Sequence, residues 1–401
     1  MKPRERLITV LEKHEPDCIP IVLQSIISSN VSNELMRITS RSRARDSSSV
    51  DGGITFQKVR EFSDRIARVN PSNWKKEFEK IANSASRAPI DVNVYARLGV
   101  DGFFYPSTPG QIRILDQKHF VNEFGSTWEF GDANGELINW YKDGCLKTPE
   151  QRDRWPLPKP EAERVRSYQE ALKIYGERVY PIGFVVGIFE LTWQSMGFTE
   201  FARNLKTNAS FVHRVYEEHA KFAEELAKLF LDAGAEIIGI GDDVAYKNNL
   251  MVSPKMWSEF VQPLASRIVN TIHKRGGLVF MHSDGYITPL IDLIIRTGYD
   301  GIQSLEPLAG VRLAEVKEKY GDRIALIGGI DTSQLLPFGT EKDVEKAVRD
   351  AIKAAGMKGG YGIGPCTEIH WKCRPQNVVA MVKYARKYGN YPLQVGGSDP
   401  S

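Results

Sequence analysis

The sequence has few cysteines, no excess of either charge sign and no long apolar run. Its 401 residues include four cysteines, Cys18, Cys145, Cys366 and Cys373. Four cysteines are too few for a disulfide framework in a chain of this length, so we expect reduced thiols. Lysine and arginine total 53 against 50 for aspartate and glutamate. This balance excludes the basic field that a nucleic-acid-binding protein needs.

No stretch approaches the roughly 20 consecutive apolar residues of a membrane span. The N-terminal segment MKPRERLITVLEKHEPD carries charges at helical spacing and is unlike a signal peptide. We therefore expect a cytoplasmic protein with no membrane partner. Neither an internal repeat nor a clean linker divides the chain, and the sequence is compatible with a homo-oligomer.

Short runs of β-branched or aromatic residues recur along the chain, each followed by a longer stretch with apolar residues at helical spacing. The runs are residues 19–23, 100–106, 180–186, 235–240, 278–282, 301–306, 324–330 and 360–366. Eight parallel strands alternating with helices predict an α/β fold of the (β/α)8 TIM-barrel class. An open doubly wound sheet is the alternative, but no GxGxxG follows the first strand.

The helices that follow the later strands are predicted at regular intervals. They cover residues 254–275, 286–297, 311–320, 340–355 and 375–388. The regularity of this half favours a single barrel. We expect one domain over residues 1–395 and a flexible tail over 396–401.

Two long segments interrupt the alternation in the first half of the chain. Residues 24–99 predict a helical and loop excursion, with an exposed Ser/Arg-rich loop at 40–49 and helices near 54–69 and 73–85. Residues 112–146 alternate apolar and polar positions around the turn GDANG, which predicts an inserted β-hairpin. Both segments follow strand ends, where they are expected to cover the barrel mouth.

Residues at the C-terminal ends of the strands carry the chemistry in a barrel of this class. These positions hold mostly acids and metal-ligand types, namely Glu190, Asp242, Asp243, His282, Asp284, Glu306, Asp331 and Cys366. A carboxylate at a strand end is also a common helix cap, which is an alternative for Asp331 and for Asp242 and Asp243. Cys366 fits a small core residue equally well.

The segment MHSDG at 281–285 is the most specific of these positions. His282 and Asp284 are separated by one residue and can converge on one ion if the chain turns, and Gly285 supplies such a turn. Because barrel strands share one mouth, Cys366 after the eighth strand faces the same space. We predict a zinc site made of His282, Asp284 and Cys366, with one open position.

The chain resembles the uroporphyrinogen decarboxylase superfamily over nearly its whole length. The resemblance rests on MKPRERLITVLEKHEPDCIPI, on the hairpin segment followed by PLPKP, on GDDVAYKNNLMVSPKMWSEFVQPLASRIVNTIHKRGG, and on MHSDG, SLEP, LIGGID and GIGPCT in that order. The decarboxylases resemble one another in an arginine-bearing MRQAGR-type segment after the first strand. This chain has VLQSIISSN there, without arginine, which argues against porphyrinogen decarboxylation.

The resemblance is to the cobalamin-dependent methyltransferase branch, which implies a zinc ion held by an H-x-C pair and a distant cysteine. His282 and Cys366 match this pattern, whereas Asp284 stands where the first cysteine would be. A carboxylate in place of a thiolate makes the ion more electrophilic and better suited to polarising oxygen. We therefore expect transfer of a methyl group from a methoxylated aromatic (O-demethylation) to the Co(I) corrinoid (cobalamin) of a partner protein.

This hypothesis gives roles to the remaining candidates. Glu190, Asp242 or Asp243 is expected to supply a fourth zinc ligand or a proton for the departing phenolate. Aromatic and apolar residues at the strand exits are expected to form the substrate pocket, although aromatics there are often core. The expected substrate-binding residues are Phe104, Tyr105, Phe184, Phe189, Trp193, Met196, Tyr246 and Glu306.

Two alternatives remain from the sequence. The chain either uses another small methyl donor or methylates a thiol or pterin acceptor, again with a corrinoid protein. Alternatively, the Asp284 substitution destroys the metal site, and the chain is a catalytically silent scaffold barrel.

Overall fold

The structure, a computed structural model, describes residues 1–42, 90–110, 112–133 and 136–393. Eight parallel strands form one sheet: β1 (Val22–Leu23), β2 (Gly102–Pro106), β7 (Tyr180–Val186), β8 (Ile237–Gly241), β9 (Leu278–His282), β10 (Gly301–Ser304), β11 (Ala325–Ile330) and β12 (Tyr361–Pro365). A parallel bridge between Ile21 and Ile363 joins the first strand region to the last, and Ile363 N donates to Pro20 O at 2.9 Å. The predicted barrel is confirmed.

The described helices surround this sheet. They are α1 (Pro3–Leu11), α2 (Ser29–Ser42), α3 (Val92–Leu98), α4 (Pro149–Asp153), α5 (Arg166–Tyr175), α6 (Ile188–Met196), α7 (Phe198–Thr207), α8 (Ala209–Asp232), α9 (Pro254–Phe260), α10 (Gln262–Lys274), α11 (Ile291–Thr297), α12 (Leu313–Tyr320), α13 (Leu335–Phe338), α14 (Glu341–Ala355) and α15 (Pro375–Tyr388). From α9 onward they lie where the sequence predicted helices, except for the short α13, which was not predicted. The predicted helix 254–275 is divided at Val261, between α9 and α10.

Helix α1 packs against the barrel interior. Its residues Leu7, Val10 and Leu11 are buried in one cluster with interior side chains such as Ile182 and Phe280. Burial of these apolar side chains stabilises the barrel, at roughly 25 cal/mol per Å² of apolar surface. The interior of the barrel is therefore apolar, and the polar side chains lie at the C-terminal ends of the strands.

The first excursion is only partly described. Residues 40–42 form the end of α2, whereas the sequence analysis placed them in an exposed loop. The helix is favoured because its residues Val31 and Leu35 are buried in the large hydrophobic cluster outside the barrel. The rest of the predicted loop, the predicted helices near 54–69 and 73–85, and the tail 396–401 lie outside the described residues.

The second insertion forms a separate antiparallel sheet. Its strands, in spatial order, are β3 (Arg113–Ile114), β4 (His119–Val121), β5 (Ser126–Ala133) and β6 (Glu136–Gly144). The predicted hairpin corresponds to β5 and β6, which pair from Ser126–Gly144 to Ala133–Glu136. Two additional short strands extend it, because Phe120 and Ile114 are buried together beneath the aromatic residues of the hairpin.

None of the helices in the described part of the chain combines the length and hydropathy that crossing a membrane requires.

Candidate metal centre

Three side chains converge at the C-terminal ends of β8 and β9. Asp243, His282 and Asp284 each offer a ligand atom within 4.8 Å of the others. Nε2 of His282 lies 3.7 Å from Oδ1 of Asp243 and 3.8 Å from Oδ1 of Asp284. A tetrahedral ion with bonds of about 2.0–2.2 Å separates its ligand atoms by about 3.4 Å. The two separations from His282 are a few tenths of an ångström longer than this, and all three ligand atoms lie within 4.8 Å of one another, so the residue types and their spacing fit a zinc ion after a contraction of the site.

Gln303 orients the histidine. Its Oε1 forms a short hydrogen bond with Nδ1 of His282, while its Nε2 donates to the carbonyl oxygens of Pro365 and Cys366 at 3.2 and 3.3 Å. With the amide group fixed in this way, Oε1 is the acceptor and Nδ1 carries the proton. The lone pair of a neutral imidazole is then on Nε2, the atom that faces the two aspartates.

Asp284 is held by its neighbours in the turn that follows β9. Its Oδ1 accepts from Oγ of Ser304 at 2.9 Å, and its backbone N donates to Oδ1 of Asp243 at 2.9 Å. Gly285 has φ of +87°, and a Cβ there would lie 2.6 Å from the carbonyl oxygen of Tyr246. Glycine is required at this turn for both reasons, as the sequence indicated.

Protons compete for the same atoms. Burial raises the pKa of Asp284 to about 7, although His282 beside it acts in the opposite direction. Burial alone would lower the pKa of His282, but the carboxylates of Asp284 and Asp243 raise it above its ordinary value. A metal ion must displace these protons, so metal affinity is expected to rise with pH.

Cys366 lies outside the group of three ligand atoms. Its side chain is 1% exposed, and its Sγ is 3.9 Å from the carbonyl oxygen of Leu305. Burial raises the pKa of its thiol well above the usual range, and the charge of Asp284 adds to that rise. The backbone carbonyl of Cys366 accepts from Nε2 of Gln303, which links this residue to the centre, but Cys366 is not among the residues that line the cavity.

Asp242 and Glu190 form a second acidic pair beside this centre. Oδ1 of Asp242 accepts the backbone N–H of Glu190 at 2.8 Å, so Asp242 caps the first turn of α6. Burial raises the pKa of Asp242 to about 7. Burial, with the charges of Asp243 and Asp242, raises the pKa of Glu190 well above its ordinary value.

A cavity of about 950 Å³, open to solvent, lies between the barrel mouth and the inserted sheet. His282, Asp243 and Glu190 line one side, and Phe124 and Trp128 of the insertion line the other. The insertion therefore covers the mouth, as the sequence predicted.

Two of the predicted pocket aromatics lie against the histidine. Phe184 lines the cavity, and its ring centroid is 6.3 Å from that of His282. Phe104 stacks on Phe184 with centroids 4.8 Å apart and is 6.1 Å from His282, edge on. These rings support the imidazole from within the barrel.

The other predicted pocket residues lie elsewhere. Tyr105, Phe189 and Met196 are buried in the hydrophobic layer outside the sheet. Trp193 packs edge on against Tyr141 of the insertion at 4.9 Å, close to the cavity but not among its lining residues. Strand pleating explains Tyr105, because adjacent residues of β2 face opposite sides of the sheet.

Three further strand-end residues support the turns around the mouth. Tyr246 is 57% exposed beside the turn at Gly285. Glu306 accepts the backbone N–H of Gly285 at 3.1 Å. Asp331 accepts backbone N–H groups of Ser333, Gln334 and Leu335 at 2.6–3.0 Å, which is the capping alternative noted from the sequence.

Sequence reasoning missed three residues at the centre: Gln24, Gln303 and Glu368. Nε2 of Gln24 lies 3.4 Å from Nε2 of His282 and 3.2 Å from Oε1 of Glu368. Gln24 directly follows β1, Gln303 lies within β10 and Glu368 follows β12. Their positions at or near the ends of strands could have identified them as neighbours of the centre. Glutamine, however, is an uncommon metal ligand.

A closed barrel with converging ionisable groups at its C-terminal mouth is the usual architecture of a barrel enzyme. The chain belongs to the Uroporphyrinogen decarboxylase (URO-D) family, whose sequence pattern matches residues 78–388. The resemblance noted from the sequence is confirmed.

Two curated relatives show how wide the family is. A uroporphyrinogen decarboxylase of Trichodesmium erythraeum is 22% identical over 289 residues, covering 68% of this chain and 78% of the relative. A methylated-thiol–coenzyme M methyltransferase of Methanosarcina mazei is 22% identical over 237 residues, covering 58% of this chain and 61% of the relative.

The fold is also similar to that of a solved methyltransferase from Methanosarcina mazei. The TM-score is 0.66 at 16% identity, and the match covers 97% of this chain and 99% of the other. At this identity the match shows a shared fold over nearly the whole chain.

Proposed function

We propose that this protein is a zinc-dependent methyltransferase that takes the methyl group of a methoxylated aromatic and passes it to the Co(I) corrinoid of a partner protein. The observation that carries the proposal is the placement of two carboxylates, Asp243 and Asp284, beside Nε2 of His282. Oxygen ligands favour a hard, electrophilic ion. Membership of a family that includes a curated methyltransferase supports the reaction class.

Asp243, His282 and Asp284 would hold the ion, with Cys366 as the proposed fourth donor. A bound zinc ion supplies a Lewis acid for an ether oxygen. Gln303 holds the proton of the neutral His282 ring on Nδ1, which leaves Nε2 as the ligating nitrogen. Ser304 fixes the Asp284 carboxylate through its hydroxyl group.

Glu190 is the proposed proton donor. In the reaction the methyl carbon–oxygen bond breaks and leaves its electron pair on oxygen, while the methyl carbon forms a bond with the electron pair of Co(I). The phenolate then needs a proton. Glu190 lines the cavity, and its raised pKa favours the protonated form that a proton donor needs.

The cavity walls bind and orient the ring. Phe184 on the barrel side and Phe124 and Trp128 on the insertion side offer aromatic surfaces to a flat substrate. The cavity is open to solvent, which leaves an approach for the corrinoid.

The test is demethylation of 2-methoxyphenol by the purified protein with a reduced corrinoid carrier. We expect one equivalent of bound zinc, formation of methylcobalt absorbance and release of catechol in equal amounts. Omission of the reductant should stop methylcobalt formation and catechol release but leave the zinc bound. Zinc without turnover of any methoxylated aromatic would contradict the proposed donor.

A second candidate is transfer to or from a thiol, because a curated relative is named as a methylated-thiol–coenzyme M methyltransferase. Thiolate chemistry favours soft, sulfur-rich zinc sites, whereas here the two residues closest to His282 Nε2 are carboxylates. Methylation of a thiol by methylcobalamin, with no ether demethylation, would favour this candidate. Absence of bound zinc would favour a silent scaffold barrel.

A further inference from the structure

The cavity is rich in carboxylates. Its lining includes Glu123, Glu190, Asp243 and Glu368, whereas none of its described lining residues is lysine or arginine. Glu123 and Arg164 form an ion pair in which the two side chains are 13% and 12% exposed. Arg164, whose partner Glu123 lines the cavity, is therefore already neutralised.

A bound divalent ion does not give the cavity a net positive charge. The two carboxylates of Asp243 and Asp284 cancel the two charges of the ion. Glu368 then still lies on the barrel side of the cavity, and its Oε1 is within 3.2 Å of Nε2 of Gln24. A carboxylate on the substrate would lose part of its hydration in a space with no net positive charge, which is unfavourable.

Gln24 favours a substrate that carries a hydrogen-bond donor. Its side chain is 7% exposed and lines the cavity, and its Oε1 is buried with no hydrogen-bond partner in the structure. Buried acceptors are nearly always paired. A substrate that brings a hydroxyl group supplies the missing donor, whereas a substrate that brings a carboxylate supplies another acceptor.

We propose that this cavity selects uncharged methoxyphenols and rejects methoxybenzoates. The inference rests on the proposed function and specifies its substrate class. The charge of Glu368, the neutralised Arg164 and the unpaired acceptor of Gln24 all favour a donor-bearing neutral ring. The aromatic walls bind either ring equally, so charge decides between them.

The first measurement compares 2-methoxyphenol with 2-methoxybenzoate on the zinc-loaded full chain. Binding is followed by isothermal titration calorimetry, and demethylation is followed with the reduced corrinoid carrier. We expect the phenol to bind at least about tenfold more tightly than the benzoate. Equal binding and turnover of the two would overturn the inference and leave the proposed function standing. Turnover of neither would defeat the proposed function itself.

The second measurement uses Glu123→Gln, which leaves the positive charge of Arg164 without its partner. Arg164 also donates to the carbonyl oxygens of Lys159 and Thr108, at 2.6 and 3.3 Å, so it should stay in place when Glu123 loses its charge. We expect the preference for the phenol to fall by about tenfold, through tighter binding of the benzoate.

The matched control is the double variant Glu123→Gln/Arg164→Gln, which removes both charges. It should restore the preference of the wild-type protein. A thermal melt of each variant tests folding, and the wild-type comparison decides the inference if a variant fails to fold. Unchanged discrimination in a folded Glu123→Gln variant would overturn the electrostatic argument.

Discussion

Nδ1 of His282 is hydrogen bonded to Oε1 of Gln303, the residue directly opposite it on the neighbouring strand. Since this bond fixes the tautomer that leaves Nε2 free, Gln303→Leu should weaken zinc binding about 10–100-fold. Competition with a chelating dye measures the affinity. Gln303→Glu keeps an acceptor oxygen and should lose much less zinc affinity. Equal losses of zinc affinity in both variants would mean that Gln303 acts only through packing.

Asp284→Cys tests the argument from ligand hardness. The variant should retain one equivalent of zinc because a thiolate is a good zinc ligand. Ether demethylation should fall by at least about tenfold because a softer ligand makes the ion a weaker Lewis acid. Zinc analysis and catechol release measure the two effects. Full demethylation activity in this variant would refute the proposed role of the carboxylate.

Cys366 is tested by replacing zinc with cobalt(II). A thiolate ligand gives a sulfur-to-cobalt charge-transfer absorption band, which we expect in the wild-type protein and not in Cys366→Ala. Cys373→Ala is the matched control, because Cys373 is also buried but its Sγ lies 3.8 Å from the carbonyl oxygen of Thr332. A band that survives in Cys366→Ala would come from another thiolate, and absence of the band from the wild-type protein would mean that the site has only oxygen and nitrogen ligands.

His219 should make stability pH-dependent. Its Nδ1 lies 3.0 Å from Oγ1 of Thr192, and burial lowers its pKa to about 3. The unfolded chain, with a pKa near 6.5, binds one more proton between these values, so the free energy of unfolding falls as the pH is lowered below 6.5. Between pH 7.5 and 5.5 the loss from this residue should be about 1.4 kcal/mol.

Urea unfolding at the two pH values measures this loss. His219→Gln should remove that component of the pH dependence, whatever its effect on overall stability. His213→Gln is the control, because His213 is exposed and stacks on Phe260. A pH dependence that is unchanged in His219→Gln would contradict the assignment.

The local pattern was sufficient for the strands and for part of the centre. Each barrel strand is a short apolar run bounded by turn residues, and burial on both faces leaves that pattern visible in the sequence. His282 and Asp284 were identified because they are neighbours along the chain. Their convergence depends on one turn at Gly285, which the sequence displays directly.

The tertiary structure decided the remaining members of the centre. Asp243 reaches His282 because the register of β8 and β9 places Gly241 opposite His282 and leaves Asp243 just beyond the strand. Gln303 reaches it through the register of β9 and β10. Register between strands far apart in sequence depends on closure of the whole barrel.

The residues of the pocket walls were likewise predicted only in part from the sequence. The sequence identified aromatic residues near the strand exits, but whether a side chain faces the barrel or the outer helices depends on pleating and on where each strand begins. Phe104 therefore lies against His282, while Tyr105 is buried with Tyr168 outside the sheet. The sequence determined the elements and the His-x-Asp pair because these are local. Only folding determined which distant side chains share the cavity, because barrel closure brings them together.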